Sequence, residues 1–510
     1  MRHVHHLLGL SGLFVIGSLS THAFAAPADD DVDPDARPAA EQPKEAAPAA
    51  APVAAPAADA AAPAADATAP AADTATPAAK PKFGDLTTSG YFRGGIGGSS
   101  LKGRQVCFAM PNPAGLAVKY RLGNECEVWG EFGLHTVVYA GSDGSVAHIH
   151  FMPTAYIPNS HIGYPSTGTT SSDLGSASTG ATVAFPNLYV DIQGIPWLAG
   201  GTAWAGTRYY KRESVYISDF FYWNPSGVGA GIEDIALGHV LTPDFDLLKD
   251  LKFSYGAFAV DGEPSGTPPL PSQTDFGLRN DFQLRGIKPY TSGELQVGFQ
   301  YIADMSSKTN ESGAANSTFG GWGVTVQHVQ QLLGGDNKLA FQYGRGGGTG
   351  FGTLGRFYYP DFSLNHNPAT ESRTRVVDVL TVQPVDWLGG QATFVYQHDN
   401  TGGGSTSDWI STGARVAWAF TEHAKLLGEA GYDHVKKSNG SDPQMVAKFT
   451  VAPAITAGKG FNSRPEIRLF YTWAMWNETA RGATIDSYRL YTNTLKLSGA
   501  TFGLQGETWW

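Results

Sequence analysis

Chemistry requires side chains of suitable type on one side of an element, and spacing along the chain decides which of them can meet. Tyr91 and Arg93 stand two apart, as do Trp129 and Glu131. On a strand, positions two apart share a face, so each pair sets an aromatic ring beside an ionic group. His148 and His150 share a face in the same way and could offer two metal ligands. No cysteine or third nearby histidine completes that pair in the sequence, so no metal is expected. The run Gly344 to Gly350 looks like a phosphate cradle, yet no helix is signalled after it to supply the anion-binding amides; a flexible loop fits better. No Ser/His/Asp set or carboxylate pair stands in a plausible strand context, so neither an enzyme nor a cofactor is expected. The chain has two cysteines, Cys107 and Cys126, which excludes a disulfide scaffold and a multi-cysteine metal site. One local bridge between them remains open in an oxidising compartment, and it would brace a loop by about 3 kcal/mol of loop entropy.

The elements that must position these groups are strands. Glycine accounts for 63 of 510 residues, aromatic residues for 12% and charged residues for only 16%, which leaves little material for long helices. Leu339, Phe341 and Tyr343 alternate with Ala340 and Gln342, and from Pro465 onward Ile467, Leu469, Tyr471 and Trp473 oppose Glu466, Arg468 and Thr472. This period of two marks strands with one oily and one polar face. Eighteen such segments run from 86–97 to 497–510. Their connections differ in length: 334–337 and 421–422 are tight, whereas 98–125, 153–185, 345–371 and 477–496 are long and rich in Gly, Ser, Thr and Asn. An even strand count, short turns on one side and long loops on the other predict an all-β fold, an 18-stranded antiparallel transmembrane β-barrel over 83–510.

The start of the chain agrees with an outer-membrane destination in a Gram-negative bacterium. Arg2 precedes an apolar run from Leu7 to Ile16, and Ala23-Phe24-Ala25 has the small-x-small pattern of a cleavage site, so 1–25 reads as a secretory signal peptide. Residues 26–82 are low-complexity Ala/Pro/Asp sequence and read as a disordered, extended periplasmic tether, one that could reach a cell-wall partner. The net charge of −11 argues against nucleic acid as a partner.

Several motifs occur in an order that resembles the maltoporin family of sugar-specific outer-membrane porins. Ser89-Gly90-Tyr91-Phe92-Arg93, Cys107-Phe108 and Lys119-Tyr120-Arg121-Leu122-Gly123-Asn124-Glu125-Cys126-Glu127 look like that family's opening. Trp204 to Tyr210, Asp219-Phe220-Phe221-Tyr222-Trp223, Gly229 to Glu233, Ser463-Arg464-Pro465 and Trp509-Trp510 continue the resemblance. It implies a homotrimer in outer-membrane lipid that carries maltose and maltodextrins along an aromatic slide and a polar track. Such a track suits a sugar, whose C–H faces stack on rings while its hydroxyls exchange hydrogen bonds with ionic groups. By motif position Tyr91, Trp129 and Trp509 resemble slide aromatics. Arg93, Arg121, Glu131, Arg212 and Asp219 resemble the polar track, and Phe221 stands where the family's constriction loop has Tyr. Ser214 replaces an acidic track residue, and Asn462 and Asp336 stand where the lower slide has aromatics, with Phe461 a stand-in beside Asn462. The loop 153–185, with Tyr156 and Tyr164, is expected to reach toward a neighbouring subunit. The alternatives are a porin for another oligosaccharide such as sucrose, or a general diffusion porin.

Overall fold

The alternation of oily and polar residues resolves into strands that present one face outward and the other inward. The computed structural model describes residues 81–510 apart from 112–116, 159–181, 239–245, 262–275, 306–319, 352–365, 482–490 and 492–493. Its long strands are β1 (Leu86–Ser99), β2 (Glu127–Ala140), β3 (Val146–Pro158), β4 (Thr182–Ile195), β5 (Gly201–Arg208) and β6 (Gly227–Ala236). There follow β7 (Lys252–Asp261), β8 (Phe276–Tyr290), β9 (Gly293–Asp304), β10 (Gly321–Leu332), β11 (Gly335–Gly346) and β12 (Glu371–Val385). The last are β13 (Leu388–Thr401), β14 (Thr406–Ala419), β15 (Ala424–Lys437), β16 (Gln444–Thr456), β17 (Glu466–Trp476) and β18 (Ser498–Trp509). The segments read as a signal peptide (1–25) and as a tether (26–82, except Pro81 and Lys82) lie outside the described residues, as does Tyr164.

Each strand pairs antiparallel with its neighbours in sequence, and β1 pairs with both β2 and β18, so the sheet of 18 strands closes on itself. Closure leaves no strand edge unpaired, the condition for a sheet to stand in hydrocarbon. The seam is continuous from Tyr91 opposite Trp509 to Ser99 opposite Thr501, and Gly90 and Trp510 exchange both backbone hydrogen bonds at 3.1 Å.

Side-chain parity follows from the pleat. On β1, Phe92 is 43% exposed while Tyr91 and Arg93 on either side of it are 1% exposed. On β2, Phe132 is exposed on the outer face while Trp129 and Glu131 are buried. The outer face is an apolar belt that includes Leu469, Tyr471, Phe502 and Leu504, as lipid requires. All eighteen segments read from the sequence correspond to these strands, with several ends displaced by four to six residues; the strand expected over 230–242 runs from Gly227 to Ala236. The strand expected over 202–212 ends at Arg208, because from Tyr209 the backbone turns inward: the Tyr209 amide donates to Asn187 Oδ1 at 2.7 Å and the Tyr210 amide to Ser226 Oγ at 3.0 Å. The strand expected over 143–152 runs instead from Val146 to Pro158. Tyr156 is therefore in the wall, not in a loop.

Candidate functional site

Two of the long connections fold back inside the barrel. Residues 209–226 join β5 to β6, yet they dock on β10, β11 and β13. Tyr222 Oη donates to Gln327 Oε1 at 2.6 Å, Gln342 Nε2 donates to the Tyr222 carbonyl at 2.9 Å, and the Ile217 amide donates to Gln391 Oε1 at 3.0 Å. Since β13 lies eight strands beyond β5 in a ring of 18, the loop crosses the bore from one wall to the opposite one. Ile217, Phe220, Tyr222 and Trp223 are buried by this crossing, and β9 accommodates the Trp223 indole because Gly298 has no side chain where it lies. The loop between β1 and β2 occupies more of the bore. Tyr120 packs where a Cβ on Gly431 would collide with its ring, and its hydroxyl meets Ser411 Oγ at 3.0 Å. The Arg121 amide donates to the Ile217 carbonyl at 2.9 Å, tying the two loops together. The Cys107–Cys126 bridge is present, with Cα atoms 5.8 Å apart, and closes the base of the first loop. The result is a constriction built by two loops.

An ion network lines this constriction. Arg93 Nη1 donates to Glu125 Oε1 at 2.8 Å and to Asp219 Oδ2 at 3.2 Å, while its Nη2 donates to Glu127 Oε1 at 2.6 Å. Arg121 donates from Nε to Glu125 at 2.5 Å, pairs with Glu507 at 3.0 Å, and donates to the Tyr91 hydroxyl. Glu507 also pairs with Arg464 at 3.3 Å and Arg468 at 3.1 Å, and accepts from Tyr91 at 2.8 Å and Tyr216 at 2.7 Å. Burial pushes the Tyr216 phenol above its ordinary value, so it stays protonated and donates to that carboxylate. Enclosed charges are stable only when partnered in this way. Arg93 and Arg121, each 1% exposed, act here as the ionic frame that fixes Tyr91, Asp219 and both loops.

The aromatic residues form a connected series. Tyr91 and Trp509 are opposite one another across the seam, with ring centroids 6.5 Å apart and planes at 17°. Trp129 meets Tyr156 edge to face at 6.0 Å, and these four rings form one cluster. Tyr216 stands edge-on to Trp509 at 5.9 Å and to Phe461 at 6.2 Å. Polar groups accompany the rings: Trp129 Nε1 donates to Glu131 Oε1 at 3.0 Å, and Tyr209 Oη donates to the same oxygen at 3.2 Å. The Arg212 guanidinium lies 3.4 Å from the Tyr209 ring centroid and 5.0 Å from that of Phe221. The structure thus gathers all nine singled-out residues at the constriction. Tyr91 is covered, whereas Trp509, Tyr156 and Tyr209 keep part of their surface open.

Sequence reasoning did not single out Tyr209, Tyr216 or Glu507 for the site, and it placed Tyr156 in an entrance loop where the structure has it in the strand beside Trp129. Parity alone places Glu507 beside Trp509. Tyr216 carried no such signal, because it sits in a single 3-10 turn, Tyr216–Ser218, ended by Asp219 at φ 56°.

Residues 86–510 match the LamB porin family, from the first residue of β1 through the last residue of the chain. The chain belongs to the LamB porin family. It is an outer-membrane channel of a Gram-negative bacterium, and its closed barrel is the pore wall. Solved structures similar to this porin include OccAB1 of Acinetobacter baumannii, at 10% identity over 85% of this chain and 98% of that one, with a TM-score of 0.42. OpdK of Pseudomonas aeruginosa with vanillate has 9% identity over 84% and 99%, with a TM-score of 0.42. OmpT of Vibrio cholerae in its trimer form has 8% identity over 84% and 100%, with a TM-score of 0.35.

Proposed function

We propose that this porin is selective for oligosaccharides, with maltodextrins as the substrate class, and that passage is passive along the aromatic series. The observation that carries this reading is the series itself. Rings of Tyr156, Trp129, Tyr91 and Trp509 lie together at a constriction where Glu131, Arg212 and Asp219 stand beside them. A glucosyl unit stacks its C–H face on a ring and turns its hydroxyls to ionic neighbours, so moving one unit along exchanges like contacts for like. Weak binding at each position lets the sugar leave as readily as it entered. Trp129, Trp509, Tyr156 and Tyr209 supply the stacking surface, Glu131, Arg212 and Asp219 the hydroxyl partners, and Arg93 and Arg121 the frame beneath them.

The same reading assigns 1–25 to export, 26–82 to a periplasmic tether and the working unit to a homotrimer. Single-channel recording with a panel of oligosaccharides tests the selectivity. Concentration-dependent, saturating blockade by maltodextrins supports it, whereas unsaturable flux of unrelated solutes at similar rates makes the channel a general diffusion porin. Cross-linking in mild detergent tests assembly, and monomers alone would remove the trimer.

A further inference from the structure

Three side chains of metal-ligating type, with a further histidine behind them, converge on the inner wall. His148 and His150 project from β3, Asp191 from β4 and His135 from β2, and the register sets His148 opposite Asp191 and His135 opposite His150. The outer face of these strands is taken by Ile149, Val190 and Ile192, all exposed there, so the four groups point to the lumen. His148 Nδ1 lies 2.9 Å from Asp191 Oδ1 and His150 Nε2 lies 3.2 Å from Asp191 Oδ2. One ligand atom from each of these three residues falls within 4.8 Å of the others. We propose that His148, His150 and Asp191 form a binding site for a borderline divalent cation of the zinc type.

The chemistry of the donors favours such an ion. Imidazole nitrogens with one carboxylate are a set that suits zinc, nickel and copper, whereas magnesium and calcium take oxygen donors. Tetrahedral zinc with bonds of roughly 2.0–2.1 Å needs ligand atoms about 3.3–3.5 Å apart; each imidazole nitrogen already lies 2.9 or 3.2 Å from an oxygen of Asp191, and one atom from each residue lies within 4.8 Å of the others, so small side-chain rotations close the set. Three protein ligands leave the fourth position to water from the lumen.

The neighbouring groups hold the ligands in order. His135 Nδ1 and His150 Nδ1 are 2.7 Å apart, and His135 Nε2 is 2.8 Å from Ser89 Oγ. Two N–H groups cannot face each other at that distance, so one of the two rings offers a bare nitrogen. When His150 Nε2 binds a metal, its Nδ1–H donates to His135 Nδ1 and the His135 Nε2–H donates to Ser89 Oγ. That is the outer-shell arrangement that fixes a ligating histidine. With no metal the relay reverses, and the His150 Nε2–H donates to Asp191; both settings carry the same number of protons. Tyr189 stacks on His150 at 4.2 Å and 9°, and Gln193 Nε2 donates to Asp191 Oδ2 at 2.9 Å, so ring and carboxylate are both oriented. His135 is thus a positioning residue. The sequence shows only the His148/His150 pair; the other members come from strands β2 and β4, across the sheet.

The test is equilibrium dialysis of the untagged porin, purified from the outer membrane in detergent, against Zn2+. The expected result is one Zn2+ per chain at this site, absent in both His148→Asn and Asp191→Asn and retained in His328→Asn, whose ring lies on β10. His135→Gln should keep the stoichiometry but weaken binding by about 10-fold or more. Heat-dependent mobility on gels reports the folded barrel, and the isosteric Asp191→Asn decides the matter where a histidine variant fails to fold. Co2+ gives a second readout, as visible absorption bands that both ligand variants should abolish. Binding unchanged in folded Asp191→Asn would place any metal elsewhere and would overturn the proposal, as would no binding by the parent chain.

Discussion

Two kinds of residue meet at the constriction, and substitutions should separate them. Trp129 is buried within the series, held by a hydrogen bond to Glu131 and packed edge to face on Tyr156. Trp129→Ala removes a stacking face of roughly 1 kcal/mol, so maltodextrin blockade should weaken about fivefold while the water-filled channel still conducts. Blockade unchanged in both Trp129→Ala and Trp509→Ala, with the barrel intact, would remove the slide. Arg93 is different, since three carboxylates, Glu125, Glu127 and Asp219, share its guanidinium. Arg93→Gln removes the cation that all three share and leaves Glu125 to Arg121 and Glu127 to Lys119, and breaking a buried pair costs about 3–5 kcal/mol. The expected outcome is a lower unfolding temperature and a noisy open channel; a silent substitution would show that water solvates those carboxylates well enough.

At the scale of elements, the crossing loop is held where Glu213 accepts from Lys338 at 2.9 Å and from Arg285 at 3.1 Å. Burial alone would raise the Glu213 carboxyl, but the two cations outweigh it and hold the group below its ordinary value. A carboxylate depressed in the folded state stabilises above its unfolded pKa, near 4.3, and loses that stabilisation as pH falls through the lower folded value. Open-channel current should therefore stay quiet from pH 7 to about 4.5 and become noisy only below that. Glu213→Gln should be noisy at every pH; a step above pH 5, or one that survives in the variant, would refute the tether. The Cys107–Cys126 bridge acts on the other loop, and Cys107→Ser with Cys126→Ser should remove about 3 kcal/mol of loop restraint, read as faster proteolysis between them. Strands were legible because lipid imposes a period of two, and parity alone turned Tyr91, Arg93, Trp129 and Glu131 inward. What a loop docks on was not legible. The Tyr222 to Gln327 contact spans 105 residues, and nothing local in either segment encodes it. The His135 and Asp191 partners of the His148/His150 pair were hidden for the same reason, since register is set by turns and a bulge near Val137.

For the molecule as a whole, the question is where the barrel begins. The closing seam pairs Tyr91 through Ser99 with β18, and the chain is already tied to β2 at its base, where the Gly84 amide donates to the Val137 carbonyl at 2.8 Å and the Val137 amide to the Asp85 carbonyl at 3.0 Å. At the other terminus Trp510 pairs with Gly90 and its ring meets Phe132 at 6.2 Å. Among the described residues, every hydrogen bond of the seam thus lies between residues 84 and 510. Residues 26–82 are Ala/Pro/Asp sequence with almost nothing apolar to bury, and they are not expected to stabilise the sheet. A chain that keeps 1–25 but lacks 26–82 should assemble in the outer membrane with the parent's heat resistance, single-channel conductance and maltodextrin blockade. If 26–82 is the tether to the wall proposed above, co-sedimentation with peptidoglycan should fall in the same variant while the channel is unaffected. Loss of assembly would mean that the segment takes part in folding the barrel, and unchanged sedimentation with a normal channel would leave it a spacer without a wall partner.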